Sequence, residues 1–216
     1  ALVFTMVDRE EGAAEAFARV RKQLPGVRRA CPVSPTKPLW GNVNRWGTLL
    51  SDYDHTSAQR RRYLGDDVWW YVCCGPGPPF ANLMIEWPAV DHRLLLWQNW
   101  KFQVTGFLYW GLNVWRDNLD VDPRWPASPW KAATWRNDAG APHNGDGQLI
   151  YPGPDGKPLS SVRLENLRDG LEDYEYLWLL RDAVEQLRKA DSARHAALLA
   201  EADKALENGS VEHLEK

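Results

Sequence analysis

Apolar runs and helical periodicities alternate along the chain, and this alternation predicts its elements. Apolar and β-branched runs predict strands near residues 2–7, 27–33, 39–46, 68–74 and 106–112. Helical patterns predict helices at about 11–24, 56–64, after Pro88, 161–189 and 192–207. Residues 113–158, rich in Trp, Pro and Gly, show neither pattern and predict a long loop, a feature that is often functional.

Strands that alternate with helices and are apolar throughout predict a parallel α/β sheet covered on both faces. The chain lacks a glycine-rich dinucleotide fingerprint, which favours the C-terminal half of a (β/α)8 TIM-type barrel, followed by C-terminal helices, over a doubly wound sheet. We assign residues 1–190 to this half-barrel and residues 191–216 to a C-terminal helix and tail. Because the chain opens directly on a strand pattern, we expect a fragment whose first strands, and any export signal, lie upstream of Ala1.

Catalytic groups of such barrels lie on the loops that follow the C-terminal ends of the strands. After the first predicted strand, Asp8, Glu10 and Glu11 form a carboxylate cluster suited to general acid or polarising roles. The same three side chains would equally cap and complement the N-terminus of the following helix. Other predicted strand ends lie at residues 42–46, 74–76 and 113–115.

The 216 residues include 13 Trp, an excess that allows two interpretations. Trp offers a flat apolar face and an N–H donor suited to stacking on sugar rings, but sheets and barrels also bury Trp for packing alone. On the first interpretation, Tyr71, Trp110 and Trp115 are candidate walls of a substrate cleft. Asp146, inside the turn-like segment 144–147, is a candidate contact for a substrate hydroxyl.

Charge and cysteine usage exclude several classes of function. A net charge of −3 and a pI near 6.0 argue against general nucleic-acid binding, which needs a concentrated basic surface. The apolar runs fall short of the roughly 18 residues of a membrane span. Three Cys do not make a disulfide framework, and Cys73 and Cys74, adjacent in an apolar run, predict buried thiols. No Cys/His spacing indicates zinc, and we expect neither a metal nor another cofactor.

Four segments carry a resemblance to a known family. They are WWYVCCGPGPP at 69–79, RLLLWQNWKFQVTGFLYWGLNVW at 93–115, NGDGQLIYPG at 144–153 and SSVRLENLRDGLEDYEYLWLL at 160–180. Together they resemble the domain-of-unknown-function 4091 family, which forms the C-terminal part of the catalytic region in family 123 glycoside hydrolases. The match covers about half of the chain directly.

The resemblance implies a (β/α)8 barrel that acts on β-linked N-acetylgalactosamine or related 2-acetamido sugars. In that family the acetamido oxygen of the substrate attacks the anomeric carbon, so no enzyme nucleophile is needed. One carboxylate orients the acetamido group, and its neighbour protonates the leaving oxygen and later activates water. An aromatic box around the acetamido group would account for part of the Trp excess.

The family carries its two carboxylates as an adjacent Asp-Glu pair at a strand end, and this chain departs from that pair. It reads Asp8-Arg9, and an Arg side chain stays protonated and cannot act as a general acid. We therefore predict a β-N-acetylhexosaminidase-like glycosidase with a carbohydrate substrate, Asp8 as the first catalytic candidate and Glu10 as the second. The alternatives are a carbohydrate-binding barrel that kept its Trp-rich cleft and lost its acid, and a glycosidase whose carboxylate pair lies elsewhere.

Overall fold

Short strands and five helices make up the regular structure of the described residues. The structure is a computed structural model and describes residues 2–4, 10–114, 134–136, 142–153, 155–191 and 193–208. The helices are α1 (Glu10–Gln23), α2 (His55–Tyr63), α3 (Ala89–Lys101), α4 (Val162–Asp191) and α5 (Ala196–Asn208). The strands are β1 (Leu2–Phe4), β2 (Arg28–Cys31), β3 (Arg45–Leu49), β4 (Asp67–Val72), β5 (Phe107–Tyr109), β6 (Thr134–Arg136), β7 (Pro142–Asn144), β8 (Ile150–Pro152) and β9 (Pro158–Ser160).

The first five strands form one parallel sheet in which each strand pairs with its successor along the chain. A doubly wound sheet reverses its strand order at a switch point, whereas the wall of a (β/α)8 barrel keeps the order of the sequence. The sequential order therefore confirms the parallel α/β prediction and is consistent with half of a TIM-type barrel.

The sheet buries one face under helices. Trp46 of β3 pairs with Val68 of β4, and both are buried in one cluster with Phe17 of α1 and Ala58 of α2. Thr48 and Trp70 follow at the same face because side chains alternate along a strand. We call this the helix face and the opposite side, which carries Trp69 and Tyr71, the inner face.

The third strand lies further along the chain than predicted. The sequence pattern placed it within 39–46, but Lys37–Leu39 forms a 3₁₀ turn and the strand runs from Arg45 to Leu49. The Leu39 carbonyl accepts hydrogen bonds from the main-chain N–H groups of both Asn42 and Val43. This segment therefore forms a turn and not part of a strand. Asn42 and Asn44 consequently precede the strand. The prediction that they follow its C-terminal end was wrong.

Two further expectations need correction. The predicted loop 113–158 is interrupted by antiparallel strand pairs, β6 with β7 and β8 with β9, the last of which begins at Pro158. Cys74 is exposed and Cys73 is half-buried, because β4 ends at Val72 and the chain leaves the apolar layer before it reaches the two thiols. Cys31, on the helix face, is buried.

The chain divides into two compact units, residues 1–76 with 104–109, and residues 77–103 with 110–216. In the second unit α3 packs along α4. A Cβ on Gly170 of α4 would come within 2.7 Å of the Arg93 carbonyl oxygen of α3. Glycine at this position therefore allows the two helix backbones to approach closely.

Candidate functional site

The first candidate region lies at the carboxyl end of β4, on the inner face. Tyr71 is half-buried there, one residue before the strand ends. Burial raises the pKa of the Tyr71 phenol above its ordinary value, and electrostatic interactions with Cys73 and Asp52 raise it further. The phenol therefore stays protonated at neutral pH and can both donate a hydrogen bond to a polar ligand and accept one.

Asp52 is a strand-end carboxylate that sequence reasoning missed. It ends a 3₁₀ turn, Leu50–Asp52, that follows β3 directly, and its Oδ1 accepts a hydrogen bond of 3.0 Å from the Ser51 hydroxyl. Its charge reaches the Tyr71 phenol. The signal was present in the sequence, since correct placement of the third strand at 45–49 would have put Ser51 and Asp52 at a strand end.

A small cleft beside this turn does not fit a sugar ring. Its volume is about 70 Å³ and its walls include Ser34, Thr48, Asp52 and Tyr53. The Ser34 and Thr48 hydroxyls hydrogen-bond each other at 2.7 Å across it. We therefore assign this cleft to packing between the strand ends and α2.

The second candidate region is a supported aromatic face in the second unit, which we call the Trp110 platform (Trp110, Asp146 and Gly147). Trp110 follows β5 and is 46% exposed, and its indole N–H donates a 2.8 Å hydrogen bond to Oδ1 of Asp146, which is 1% exposed. Gly147 has a φ of +72°, and a Cβ there would lie 2.6 Å from the indole ring. The ring is thus held at its edge by a buried carboxylate and backed by a glycine.

Main-chain pairing fixes the two segments of the platform. Val114 donates to the Gly147 carbonyl at 2.8 Å, and Leu149 donates to the Leu112 carbonyl at 2.7 Å. Residues 112–114 and 147–149 therefore run side by side, which keeps Trp110 next to the turn that contains Asp146.

Arg163 of α4 clamps the same turn from behind. Its guanidinium, 6% exposed, donates to the carbonyl oxygens of Leu83, Gly145 and Gln148 at 2.6, 2.7 and 2.6 Å. A Cβ on Gly145, whose φ is +74°, would lie 2.6 Å from this guanidinium. Sequence reasoning missed this role, since nothing in the helical pattern of α4 distinguishes Arg163 from its exposed polar neighbours.

Comparison with known proteins adds to this geometry. The family described as glycoside hydrolase 123, catalytic domain, matches residues 10–180. The chain belongs to glycoside hydrolase family 123. This membership confirms the predicted resemblance to family 123 glycoside hydrolases and supports a glycoside hydrolase-like function.

A solved structure shares the fold of the family 123 chain. It is a family 123 glycoside hydrolase from Clostridium perfringens, studied for glycolipid glycan hydrolysis, with a TM-score of 0.64 and 16% identity. The similarity covers 88% of this chain and 33% of that enzyme, so the chain spans about a third of its relative. No curated protein sequence matches the chain.

The predicted site residues of the family 123 chain fall into three groups. Trp110 and Asp146 are in contact, and Tyr71 lies at a strand end of the other unit. Glu10 begins α1, but its side chain lies outside the described part of the structure. Asp8 and Trp115 lie outside the described residues altogether. The catalytic assignments of Asp8 and Glu10 therefore stay predictions.

The described residues form neither a cluster of metal ligands nor a membrane-spanning helix. Within the described ranges, no group of three or more His, Cys, Asp or Glu side chains is arranged to hold a metal ion. Across the same ranges, no helix combines the length and the apolar character that crossing a membrane requires.

Proposed function

We propose that this chain forms part of a glycoside hydrolase that acts on β-linked N-acetylhexosaminides of the N-acetylgalactosamine type, by a substrate-assisted mechanism. Family membership supports the reaction class. The Trp110 platform is the observation that carries the carbohydrate assignment, because a half-exposed indole fixed at its edge by Asp146 offers a preorganised flat face to a sugar ring.

The substrate-assisted reaction makes few demands on the protein. The acetamido oxygen attacks the anomeric carbon, the glycosidic C–O bond breaks, and the leaving oxygen takes a proton from a carboxylic acid. Water then attacks the anomeric carbon of the oxazolinium ion and gives its proton to the same carboxylate. We assign Asp8 to the carboxylate that serves this chemistry and Glu10 to a supporting role.

Hydrolysis of chromogenic β-N-acetylgalactosaminides tests the assignment of Asp8. Asp8→Asn should lower kcat by about 10²- to 10⁴-fold, the usual contribution of general acid–base catalysis. If Asp8 is the acid, the loss grows as the leaving group becomes poorer; if Asp8 orients the acetamido group, the loss is the same for all leaving groups. Glu15→Gln, an exposed carboxylate on α1, is the matched control and should retain full activity. Unchanged activity in Asp8→Asn would refute the mechanism.

The departure at Asp8-Arg9 favours one rival, a carbohydrate-binding barrel without turnover. This rival predicts saturable binding of N-acetylgalactosamine, visible as quenching of Trp fluorescence, with no hydrolysis of any aryl glycoside. Under both proposals Trp110→Ala should weaken binding by about tenfold, as expected for the loss of one stacking contact. Trp178→Ala, which removes a Trp of similar exposure on α4, should leave the affinity unchanged.

A further inference from the structure

Two adjacent cysteines stand at the carboxyl end of β4. Cys73 and Cys74 follow Val72, the last residue of the strand, and their Sγ atoms are 3.7 Å apart. Cys74 is exposed and Cys73 is half-buried. The two thiols are thus close enough to react with each other, and at least one is open to a reagent from solvent.

We propose that Cys73 and Cys74 form a reversible thiol–disulfide site that is oxidised by small disulfides of the glutathione class. The Cys74 thiolate attacks one sulfur of the external disulfide, forming a mixed disulfide and releasing one small thiol. The Cys73 thiolate then attacks the Cys74 sulfur and displaces the second small thiol. The cysteine pair loses two protons and two electrons, and the external disulfide gains both.

The short distance between the Cα atoms of neighbouring residues explains why such a disulfide is reversible. Consecutive Cα atoms across a trans peptide are about 3.8 Å apart, whereas the Cα atoms of ordinary disulfides are about 4.4–6.8 Å apart. A disulfide between neighbours is therefore strained, and strained disulfides are more easily reduced than structural ones. The pair suits a site that cycles between two states better than it suits a permanent crosslink.

The third cysteine supplies an internal contrast. Cys31 is 1% exposed in the apolar cluster of the helix face, beside Trp46 and Val68. Its environment excludes a bulky disulfide reagent, so oxidation under native conditions should spare it. The site therefore consists of the two strand-end thiols, and its chemistry does not depend on the proposed glycosidase activity.

Mass spectrometry of the native protein after exposure to oxidised glutathione tests this proposal. Trypsin releases residues 63–93 as one peptide that contains Cys73 and Cys74 but not Cys31. We expect this peptide to lose the mass of two hydrogen atoms, to resist iodoacetamide, and to regain two reactive thiols after treatment with dithiothreitol. The Cys31 peptide should remain a thiol that reacts only after denaturation.

Two variants sharpen the test. Cys73→Ser removes the resolving thiol, so a stable mixed disulfide with glutathione should accumulate on Cys74. Cys31→Ala should still form the internal bond. A stable glutathione adduct on the unsubstituted protein, or a peptide whose two thiols both stay reactive, would overturn the proposal.

Discussion

At the scale of single residues, the Trp110 platform depends on Gly147 for two separable reasons. Its φ of +72° favours glycine, and a Cβ would collide with the indole ring. Gly147→Ala should therefore lower the free energy of unfolding by about 1–2 kcal/mol, because alanine is strained in the left-handed region. Displacement of the indole ring should lower it further. Urea unfolding measures the sum of the backbone cost and the cost of displacing the ring. Titration with N-acetylgalactosamine shows whether the displaced ring still binds the sugar.

Gly156 provides the matched control for this substitution. Its φ is +76°, nearly the same as that of Gly147, but a Cβ there meets no atom within 4 Å. Gly156→Ala should show the backbone cost alone and leave sugar affinity intact. Equal losses of stability and affinity in the two variants would mean that contact with Trp110 contributes nothing.

At the scale of elements, Asp173 joins α4 to α3. Its carboxylate accepts bonds from Arg93 Nε and Nη2 at 2.5 and 2.8 Å and from the Trp97 indole at 2.7 Å. The hydrogen bonds from Arg93 lower the pKa of Asp173 below its ordinary value. The stabilisation that the ionised Asp173 carboxylate contributes is therefore fully present at pH values above its unfolded-state pKa of about 3.9. It is lost as the pH falls through the lower folded-state pKa.

Asp173→Asn should accordingly cost about 1–2 kcal/mol in the free energy of unfolding at neutral pH, since it removes the charge but keeps an acceptor for Trp97. The difference from the unsubstituted protein should shrink when urea unfolding is repeated in acid, below the folded-state pKa. Asp203→Asn is the control: Asp203 pairs with Arg188 at 2.5 Å, but both side chains are exposed, and the expected cost is below about 1 kcal/mol. Equal costs for the two variants would contradict the argument.

Elements also show where sequence reasoning succeeds. The run from Val68 to Cys74 predicted β4, observed at Asp67–Val72, because buried parallel strands need apolar residues on both faces. The third strand was misplaced because Leu39 and Trp40 belong to a turn that only main-chain hydrogen bonds reveal. The same error removed Asp52 from the candidate site, which shows that a strand end must be located to within a few residues before its carboxylates can be assigned.

At the scale of the whole molecule, family membership was predictable because local sequence motifs carry it. The tertiary contacts that hold each motif in place were not predictable. The NGDGQLIYPG segment indicated a turn and a candidate contact at Asp146. Its fixation by Arg163, eighteen residues beyond Gly145, is a tertiary contact with no local pattern. Arg163 places a buried positive charge in the second unit, and this charge has a consequence for acid stability.

His92 of α3 should make the protein lose stability in mild acid. It is 3% exposed, burial lowers its pKa below the ordinary value, and the positive charge of Arg163 adds to this effect, while the Met84 backbone opposes it. At pH values between the folded-state pKa of His92 and its unfolded-state pKa of about 6.5, the unfolded chain binds more protons than the folded chain. The free energy of unfolding therefore rises with pH in that range and falls as acid is added. Urea unfolding across this window should give a flat profile for His92→Gln and an unchanged slope for His55→Gln, which removes an exposed imidazole. If His92→Gln keeps the full slope, the acid sensitivity arises elsewhere, and Asp173 is not its source because that group acts only in stronger acid.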